Sequence, residues 1–177
     1  FASATASVDL RGLKRSLPSA AAVAVLADTD ILAAAPVGMI RAGIGDMTAK
    51  IISLAEWKLG HIITGEYYCE RVAELVRTAL RKCTDNAQGL LERDEEAVAA
   101  VFEGLVIGGV AMNYAGLSRP ASGVEHYFSH VWDMRGLDKG TKVDLHGIQC
   151  ALGTLLAARL YEAIKTMTPD EAKAKAY

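Results

Sequence analysis

Three of the four histidines of the chain lie near one another in the sequence, at spacings that suit a metal site. His126 and His130 are four residues apart, so on a helix they lie on one face, one turn apart. His146 follows at the start of an apolar stretch. Imidazoles placed in this way are able to converge on one divalent metal. Such a pair also arises easily on an ordinary helix, and His146 would then be only a residue at a helix start.

A carboxylate between apolar residues is the third candidate group. Asp46 lies in the sequence Gly-Ile-Gly-Asp, and Lys50 lies one helical turn further along. A carboxylate near a core is usually paired or bound to a cation, so either an Asp46–Lys50 ion pair or a metal accounts for it. A carboxylate and two imidazoles suit zinc or another divalent Lewis acid, which polarises a carbonyl or stabilises an alkoxide. That chemistry suits hydride transfer to and from a ketone.

The elements that must position these groups are mainly α-helical. Alternating residues around Gly12 predict a short strand pair over 7–15, and residues 22–27 predict a buried strand. A short helix is expected over 31–34, ending before Pro36. Apolar residues at three- and four-residue spacing then predict a bundle of long helices, over residues 37–62, 66–83, 94–115, 124–133 and 144–166. The expected fold is a helical bundle with a small β element at its front.

Composition excludes several classes of protein. The 177 residues carry 19 Lys and Arg against 21 Asp and Glu, and 51% of them are hydrophobic. This balance argues against disorder and against a nucleic-acid-binding surface. Three scattered cysteines, Cys69, Cys83 and Cys150, form no disulfide framework and favour a reducing, cytoplasmic setting. The most apolar stretch, residues 20–37, is interrupted by two aspartates and a proline, so no membrane span is expected.

Three segments, in order, resemble one enzyme family: GIGDMTAKIISLAEWKLGH, SRPASGVEHYFSHVWDMRG and LHGIQCALGTLL. They look like the glycerol-1-phosphate dehydrogenases, which belong with iron-containing alcohol dehydrogenases and dehydroquinate synthases. The opening FASATASV and the segment ADTDIL are similar as well. The resemblance implies the C-terminal helical domain of the dehydroquinate synthase-like fold.

The resemblance also implies roles for individual residues. Asp46, His126 and His146 match the family's metal ligands, and His130 would lie near the substrate and nicotinamide. Lys50 stands where some iron-containing relatives have a second ligand histidine, which favours zinc, with nickel or iron as alternatives. Lys50 is a further catalytic candidate, and Lys50 or Arg119 would meet a substrate phosphate. Glu125 is expected to orient a neighbouring group, although a solvent-facing charge is a nearly equal alternative, and Cys150 is expected to be buried apolar filling.

The implied reaction is the reversible reduction of dihydroxyacetone phosphate to sn-glycerol 1-phosphate with NADH or NADPH, a step of phospholipid metabolism. No glycine-rich dinucleotide-binding turn follows a strand here. Both ends look like cuts through a longer protein, and Thr168 with Pro169 and Glu171 predicts a helix start. We therefore expect residues 1–35 to link to a missing nucleotide-binding domain and residues 36–177 to form the metal-binding domain.

Three alternatives stay open: a glycerol dehydrogenase, another member of the superfamily, or a non-catalytic helical scaffold. The isolated chain is expected to bind a metal without turning over substrate. The intact enzyme is expected to be a cytoplasmic homo-oligomer that acts on a small phosphorylated ketone or polyol.

Overall fold

The computed structural model describes residue 3 and residues 5–168. It begins with an antiparallel hairpin of β1 (Thr5–Leu10) and β2 (Leu13–Pro18), in which Leu10 pairs with Leu13. The two turn residues, Arg11 and Gly12, have φ values of 52° and 80°. Positive φ at both central residues is the backbone that matches the twist of a two-residue hairpin, so the predicted strand pair around Gly12 is confirmed.

Six α-helices follow in the described residues, with a short 3-10 helix at Gly89–Leu91 between the third and the fourth. The bounds of the helices are α1 Thr29–Ala33, α2 Val37–Thr64, α3 Glu70–Asp85, α4 Glu95–Ala115, α5 Val124–Lys139 and α6 His146–Lys165. The expectation of a mainly α-helical bundle with a small β element at its front is confirmed.

Helix boundaries follow from local chemistry. Asp28 caps α1 by accepting hydrogen bonds from the backbone N–H groups of Asp30 and Ile31, and Asp94 caps α4 through Ala97. A side-chain acceptor at this position satisfies amides that have no partner within the helix. Helix α2 ends at Gly65, whose φ of 74° is the left-handed conformation that stops a helix.

An apolar core holds α3 and α4 against α2. Its buried members are Ile40, Met47, Ala79, Cys83, Leu90, Ala97, Val98 and Val101. A second cluster is centred on Trp57, which is fully buried and packs edge-on against Tyr68 at a ring-centroid distance of 4.7 Å. Helix α2 also packs along α6, and α6 packs along α5. The bundle therefore has an apolar side and a second side formed by α2, α5 and α6.

One predicted element is wrong, and two have a boundary that differs from the prediction by four residues or more. Residues 22–27 form no strand and are exposed, because the hairpin strands pair only with each other and offer this run no sheet to join. Helix α3 begins at Glu70 rather than near residue 66, after an extended stretch that carries Tyr68 onto Trp57. Helix α5 continues past Gly136 to Lys139, six residues beyond the predicted end. The helix start predicted after Thr168 lies outside the described residues.

Helix α4 is, within the described residues, the one helix long and apolar enough to cross a membrane by length and composition. A core helix passes the same test, and α4 packs against α3 with eight of its residues buried. Its close approach to its neighbours is visible at Gly104, where an added Cβ would lie 2.7 Å from both Cys83 Sγ and Met47 Cε.

Candidate metal centre

Three helices bring four donor groups to one place. Asp46 comes from α2, His126 from α5, and His146 and Cys150 from the first two turns of α6. One ligand atom of each lies within 4.8 Å of the others. The side chains are therefore close enough to share a single ion. This gathers the three metal ligands expected from the sequence and adds a cysteine to them.

Two close helix contacts produce this convergence. Gly45 and Gly147 are the chain neighbours of Asp46 and His146. A Cβ added to Gly147 would lie 1.8 Å from the carbonyl oxygen of Ala42, and one added to Gly45 would lie 2.4 Å from that of Gly147. Only hydrogen at these positions lets α2 and α6 come this close. Gly45 and Gly147 therefore allow the helix approach that brings Asp46 close to His146.

A third glycine does the same for α5. A Cβ on Gly153 would lie 2.4 Å from the carbonyl oxygen of Glu125. Helix α6 therefore approaches the first turn of α5 at the residue before His126. Backbone contacts, rather than loops, hold all the helices that carry the donors.

Asp46 is buried with two cationic or potentially cationic neighbours. Its Oδ1 atom lies 3.2 Å from Lys50 Nζ and 3.5 Å from His126 Nε2. Burial alone would raise the pKa of Asp46, but the Lys50 ammonium and the hydrogen-bonded His126 hold it well below its usual range. Asp46 is therefore an ionised carboxylate. The predicted Asp46–Lys50 pair and the donor cluster are both present, at the same oxygen.

His126 is held between two carboxylates. Its Nδ1 lies 2.8 Å from Glu125 Oε1, and the same oxygen accepts a hydrogen bond from the backbone N–H of Gly123. Burial alone would lower the pKa of His126, but hydrogen bonds to Asp46, Cys150 and Glu125 outweigh burial and raise the pKa to about 10. Glu125 is fully buried, which excludes the solvent-facing alternative and places it where it orients His126.

His146 contacts three polar groups around the rim of the cluster. Its Nδ1 lies 2.9 Å from Ser129 Oγ, and its Nε2 lies 3.4 Å from Cys150 Sγ. Its ring is 5.1 Å from that of His126 between centroids. Packing of the ring against the protein, and then the nearby charge on His126, lower the pKa of His146 to about 4. The imidazole is therefore neutral and carries a free lone pair.

A cleft of about 890 Å³ opens beside the donors. Lys50, His130 and Arg119 line it together with Asp46, His126 and His146. The ring of His130 stacks on that of His146 at a centroid distance of 6.4 Å; this ring is not among the four grouped donors. Arg119 Nε and Nη2 donate to the two carboxylate oxygens of Glu66 at 2.8 and 2.9 Å. All the predicted site residues therefore face one cleft.

Two of the donor distances suit a tetrahedral ion, and all four ligand atoms lie within 4.8 Å of one another. Zinc–nitrogen and zinc–sulfur distances of about 2.0–2.3 Å at tetrahedral angles put neighbouring donors about 3.3–3.6 Å apart. The Asp46–His126 distance of 3.5 Å and the Cys150–His146 distance of 3.4 Å match that spacing. A carboxylate, two imidazoles and a thiol are also ligands that zinc accepts. The chemistry of the donor set therefore fits a divalent metal ion.

Sequence reasoning missed three residues of this site. Cys150 is buried as expected, but its sulfur faces the donors instead of apolar side chains. Ser129 contacts His146 directly, and Gln149 acts on it through Ser129. The helical spacing held a signal for two of them: Cys150 lies one turn after His146, and Ser129 nearly one turn after His126, so each shares a helix face with a ligand.

Comparison with curated proteins supplies a second and independent observation. The chain is 42% identical over 161 residues to the glycerol-1-phosphate dehydrogenase [NAD(P)+] of Thermococcus kodakarensis, and 41% identical over 161 residues to that of Thermococcus sibiricus. The corresponding protein of Geobacillus thermodenitrificans is 37% identical over 164 residues. The resemblance to the glycerol-1-phosphate dehydrogenase family is confirmed. These matches cover 91–93% of the chain.

The chain spans 41–45% of the length of these glycerol-1-phosphate dehydrogenases. The matched region is the C-terminal part of each relative. No protein-family model matches the chain. The names of the relatives describe dehydrogenases that use NAD(P)+, which is the cofactor class expected from the resemblance.

Proposed function

We propose that this chain is the metal-holding helical domain of an NAD(P)-dependent sn-glycerol-1-phosphate dehydrogenase. The observation that carries the proposal is the convergence of Asp46, His126 and His146 in one cleft. The resemblance alone assigned these three positions, and the fold brings together residues that lie up to a hundred positions apart. The similarity to curated dehydrogenases over nine tenths of the chain supports the same function.

Asp46, His126 and His146 would hold the metal, and zinc is the ion that the donor chemistry favours. When bound, the ion would supply Lewis-acid polarisation of a carbonyl group. Asp46 contributes the negative charge, and Glu125 fixes the ring of His126 from behind. Lys50 keeps the Asp46 side chain in place and adds a positive charge beside the ligands. A buried sulfur from Cys150 stands as a fourth candidate donor.

The remaining cleft residues would bind the substrate. His130 lines the cleft next to His146, which favours contact with the reacting carbons of substrate and nicotinamide. Arg119 uses Nε and Nη2 on Glu66, and among the described residues no partner takes the N–H groups of Nη1, which leaves them for an anion. The more exposed Arg119 is therefore a better phosphate contact than Lys50, whose side chain is 3% exposed and already paired with Asp46.

The nicotinamide cofactor would be held mainly by residues that this chain does not contain. The curated dehydrogenases that the chain resembles are more than twice as long as the region that it matches. We propose residues 36–177 as the metal domain and residues 1–35 as the connection to a nucleotide-binding domain. The homo-oligomer and the cytoplasmic location expected above stay predictions.

The decisive experiment measures zinc bound by the chain and by three histidine or aspartate variants. Asp46→Ala and His126→Ala are expected to lose stoichiometric zinc, because each removes a ligand. His61→Ala is the matched control: His61 is exposed in the last turn of α2 and bonds to the backbone oxygen of Glu66, so this variant keeps its zinc. A folded chain with no zinc, unchanged by Asp46→Ala, would favour the scaffold alternative instead.

The activity arm uses the enzyme that contains this domain together with its nucleotide-binding part. It is expected to oxidise NADH or NADPH with dihydroxyacetone phosphate and to lose that activity with a chelator, whereas the 177-residue chain alone is inactive. Arg119→Ala should raise KM for dihydroxyacetone phosphate and leave that for dihydroxyacetone unchanged. Preference for unphosphorylated substrates would instead indicate a glycerol dehydrogenase.

A further inference from the structure

A continuous line of hydrogen bonds runs from the hairpin to the ring of His146. Lys14 on β2 donates to Asp133 Oδ2 at 2.7 Å, and Gln149 Nε2 donates to Asp133 Oδ1 at 3.0 Å. Ser129 Oγ then lies 2.7 Å from Gln149 Oε1 and 2.9 Å from His146 Nδ1. Ser129 is fully buried and Gln149 is 3% exposed. The line therefore runs from a strand, through the protein interior, to a proposed ligand.

The chemistry of these groups fixes the direction of the hydrogen bonds. The Gln149 amide group has one end that donates and one that accepts. Its neighbours at one end are the Asp133 carboxylate and, at 3.1 Å, the backbone oxygen of Asp144. Both only accept, so the nitrogen of Gln149 must face them. Its oxygen is then left facing Ser129.

The same logic continues to the histidine. The hydroxyl of Ser129 has one hydrogen, and the Gln149 oxygen at 2.7 Å takes it, because that oxygen cannot donate. Towards His146, Ser129 Oγ is therefore an acceptor. Its partner Nδ1 must carry the hydrogen, and the lone pair of the ring is left on Nε2. That atom is the one 3.4 Å from the sulfur of Cys150, inside the donor cluster.

We propose that Ser129 and Gln149 are positioning residues that set the tautomer and orientation of His146, so that Nε2 faces the metal. The inference rests on the metal site proposed above. Asp133 holds the nitrogen end of Gln149, and Lys14 on the hairpin holds Asp133. These two residues therefore extend the control to the hairpin. The function of the buried pair is thus to choose which nitrogen of the imidazole is free, a task that the outer partners of ligand histidines commonly perform.

The test replaces the glutamine by its nearest apolar shape. In Gln149→Met, the hydroxyl of Ser129 loses its acceptor and is expected to turn and donate to His146 Nδ1. The hydrogen of the ring then moves to Nε2, which can no longer bind a metal. Nitrogen-15 NMR of the metal-free chain reports the tautomer directly, and a chelator competition reports zinc affinity. We expect the Nε2–H tautomer to replace the Nδ1–H form and zinc affinity to fall about 10- to 100-fold.

A second variant and a matched control separate positioning from simple stability. Ser129→Ala should weaken zinc binding by a similar factor, because it removes the oxygen that accepts from Nδ1–H at 2.9 Å and leaves that atom the Cys150 sulfur at 3.9 Å. Ser53 is an equally buried serine, but its hydroxyl donates to the backbone oxygens of Lys50 and Pro120. Ser53→Ala should leave both the tautomer and the zinc affinity unchanged.

Two outcomes would contradict these proposals in different ways. If Gln149→Met and Ser129→Ala bind zinc like the unmodified chain and keep the Nδ1–H tautomer, the positioning role is wrong. In the second outcome, the unmodified chain has the Nδ1–H tautomer and Gln149→Met reverses it, but neither the unmodified chain nor any variant binds zinc. The positioning geometry is then supported and the metal site is wrong.

Discussion

The two buried sides of the bundle have opposite compositions. Between α2, α3 and α4 the interior is apolar, with Met47, Cys83 and Val101 among its members. The interior between α2, α5 and α6, which we call the polar junction, contains polar and charged side chains. Every buried polar or charged residue in the described part of the chain lies on one of those three helices: Asp46, Lys50, Ser53, Glu125, His126, Ser129 and Gln149.

This difference separates stability from function within one domain. Burial of apolar side chains stabilises the fold, whereas a buried charge costs free energy that its partners only offset. Helix α2 serves both sides: Met47 packs into the apolar core and Asp46, the preceding residue, points into the polar junction. Under the function proposed above, such a site is present for the metal that it binds. Backbone contacts at glycines hold its three helices together, and the apolar side holds α2 against α3 and α4.

The largest effect is expected where backbone meets backbone. In Gly147→Ala, the new Cβ would lie 1.8 Å from the carbonyl oxygen of Ala42, so α2 and α6 must separate and Asp46 must move away from His146. We expect the free energy of unfolding to fall by more than about 3 kcal/mol and zinc binding to be lost. Urea unfolding and zinc content measure the two effects.

Gly104→Ala is the matched change on the apolar side. Its Cβ would meet the ends of the Cys83 and Met47 side chains at 2.7 Å, and the flexible methionine is able to shift. The expected cost is about 1–3 kcal/mol, with zinc affinity unchanged. If Gly147→Ala and Gly104→Ala lower the free energy of unfolding equally, contact with backbone is no more costly to disturb than contact with side chains, and the apolar side and the polar junction do not differ in this respect.

An effect on stability alone is expected from Met47→Ala. Met47 is fully buried in the apolar core, and removing a buried methionine side chain typically costs about 2–5 kcal/mol through lost contacts and the cavity left behind. The folded fraction should still bind zinc with unchanged affinity, the reverse of the ligand variants, which lose zinc. A clear fall in zinc affinity for folded Met47→Ala would mean that the two sides are coupled more tightly than their separate packing suggests.

Much of the fold could be predicted because its signals are local. Helical periodicity indicated all the long helices. In the structure, Asp28 and Asp94 cap two helix starts. The failure at residues 22–27 has a physical cause: a short apolar run indicates a buried strand only if a sheet is available to cover it. Which surfaces are available is a property of the whole chain and not of the run itself.

The site divides in the same way. The residue types and motifs pointed to Asp46, His126 and His146, and the fold brings them together. The partners behind the ligands were less accessible, because Ser129, Gln149 and Asp133 meet only after α5 and α6 pack. Glu125 was the exception, since it is the chain neighbour of His126.

The smallest effect on stability is expected at Glu125, together with an effect on metal binding. In Glu125, Oε1 accepts from Gly123 and contacts His126, but Oε2 is buried without a hydrogen-bond partner. Glu125→Gln removes that charge and keeps an oxygen for the two contacts. We expect the metal-free chain to lose about 1 kcal/mol of stability, because His126 loses an anionic partner and the new amide nitrogen is buried without an acceptor. Zinc affinity is expected to fall about 10-fold, and urea unfolding and chelator competition measure the two effects.

Glu56→Gln is the control that should change stability and leave zinc affinity unchanged. Glu56 uses both of its oxygens, one for the backbone N–H of Val124 at 2.8 Å and one for the hydroxyl of Tyr161 at 2.5 Å. An amide there turns one acceptor into a donor that faces another donor, so this variant should lose stability. If Glu125→Gln instead gains stability in urea unfolding, the buried carboxylate of Glu125 costs the fold more free energy than its contact with His126 returns. Equal zinc affinities for the two variants would contradict the role of Glu125 in orienting His126.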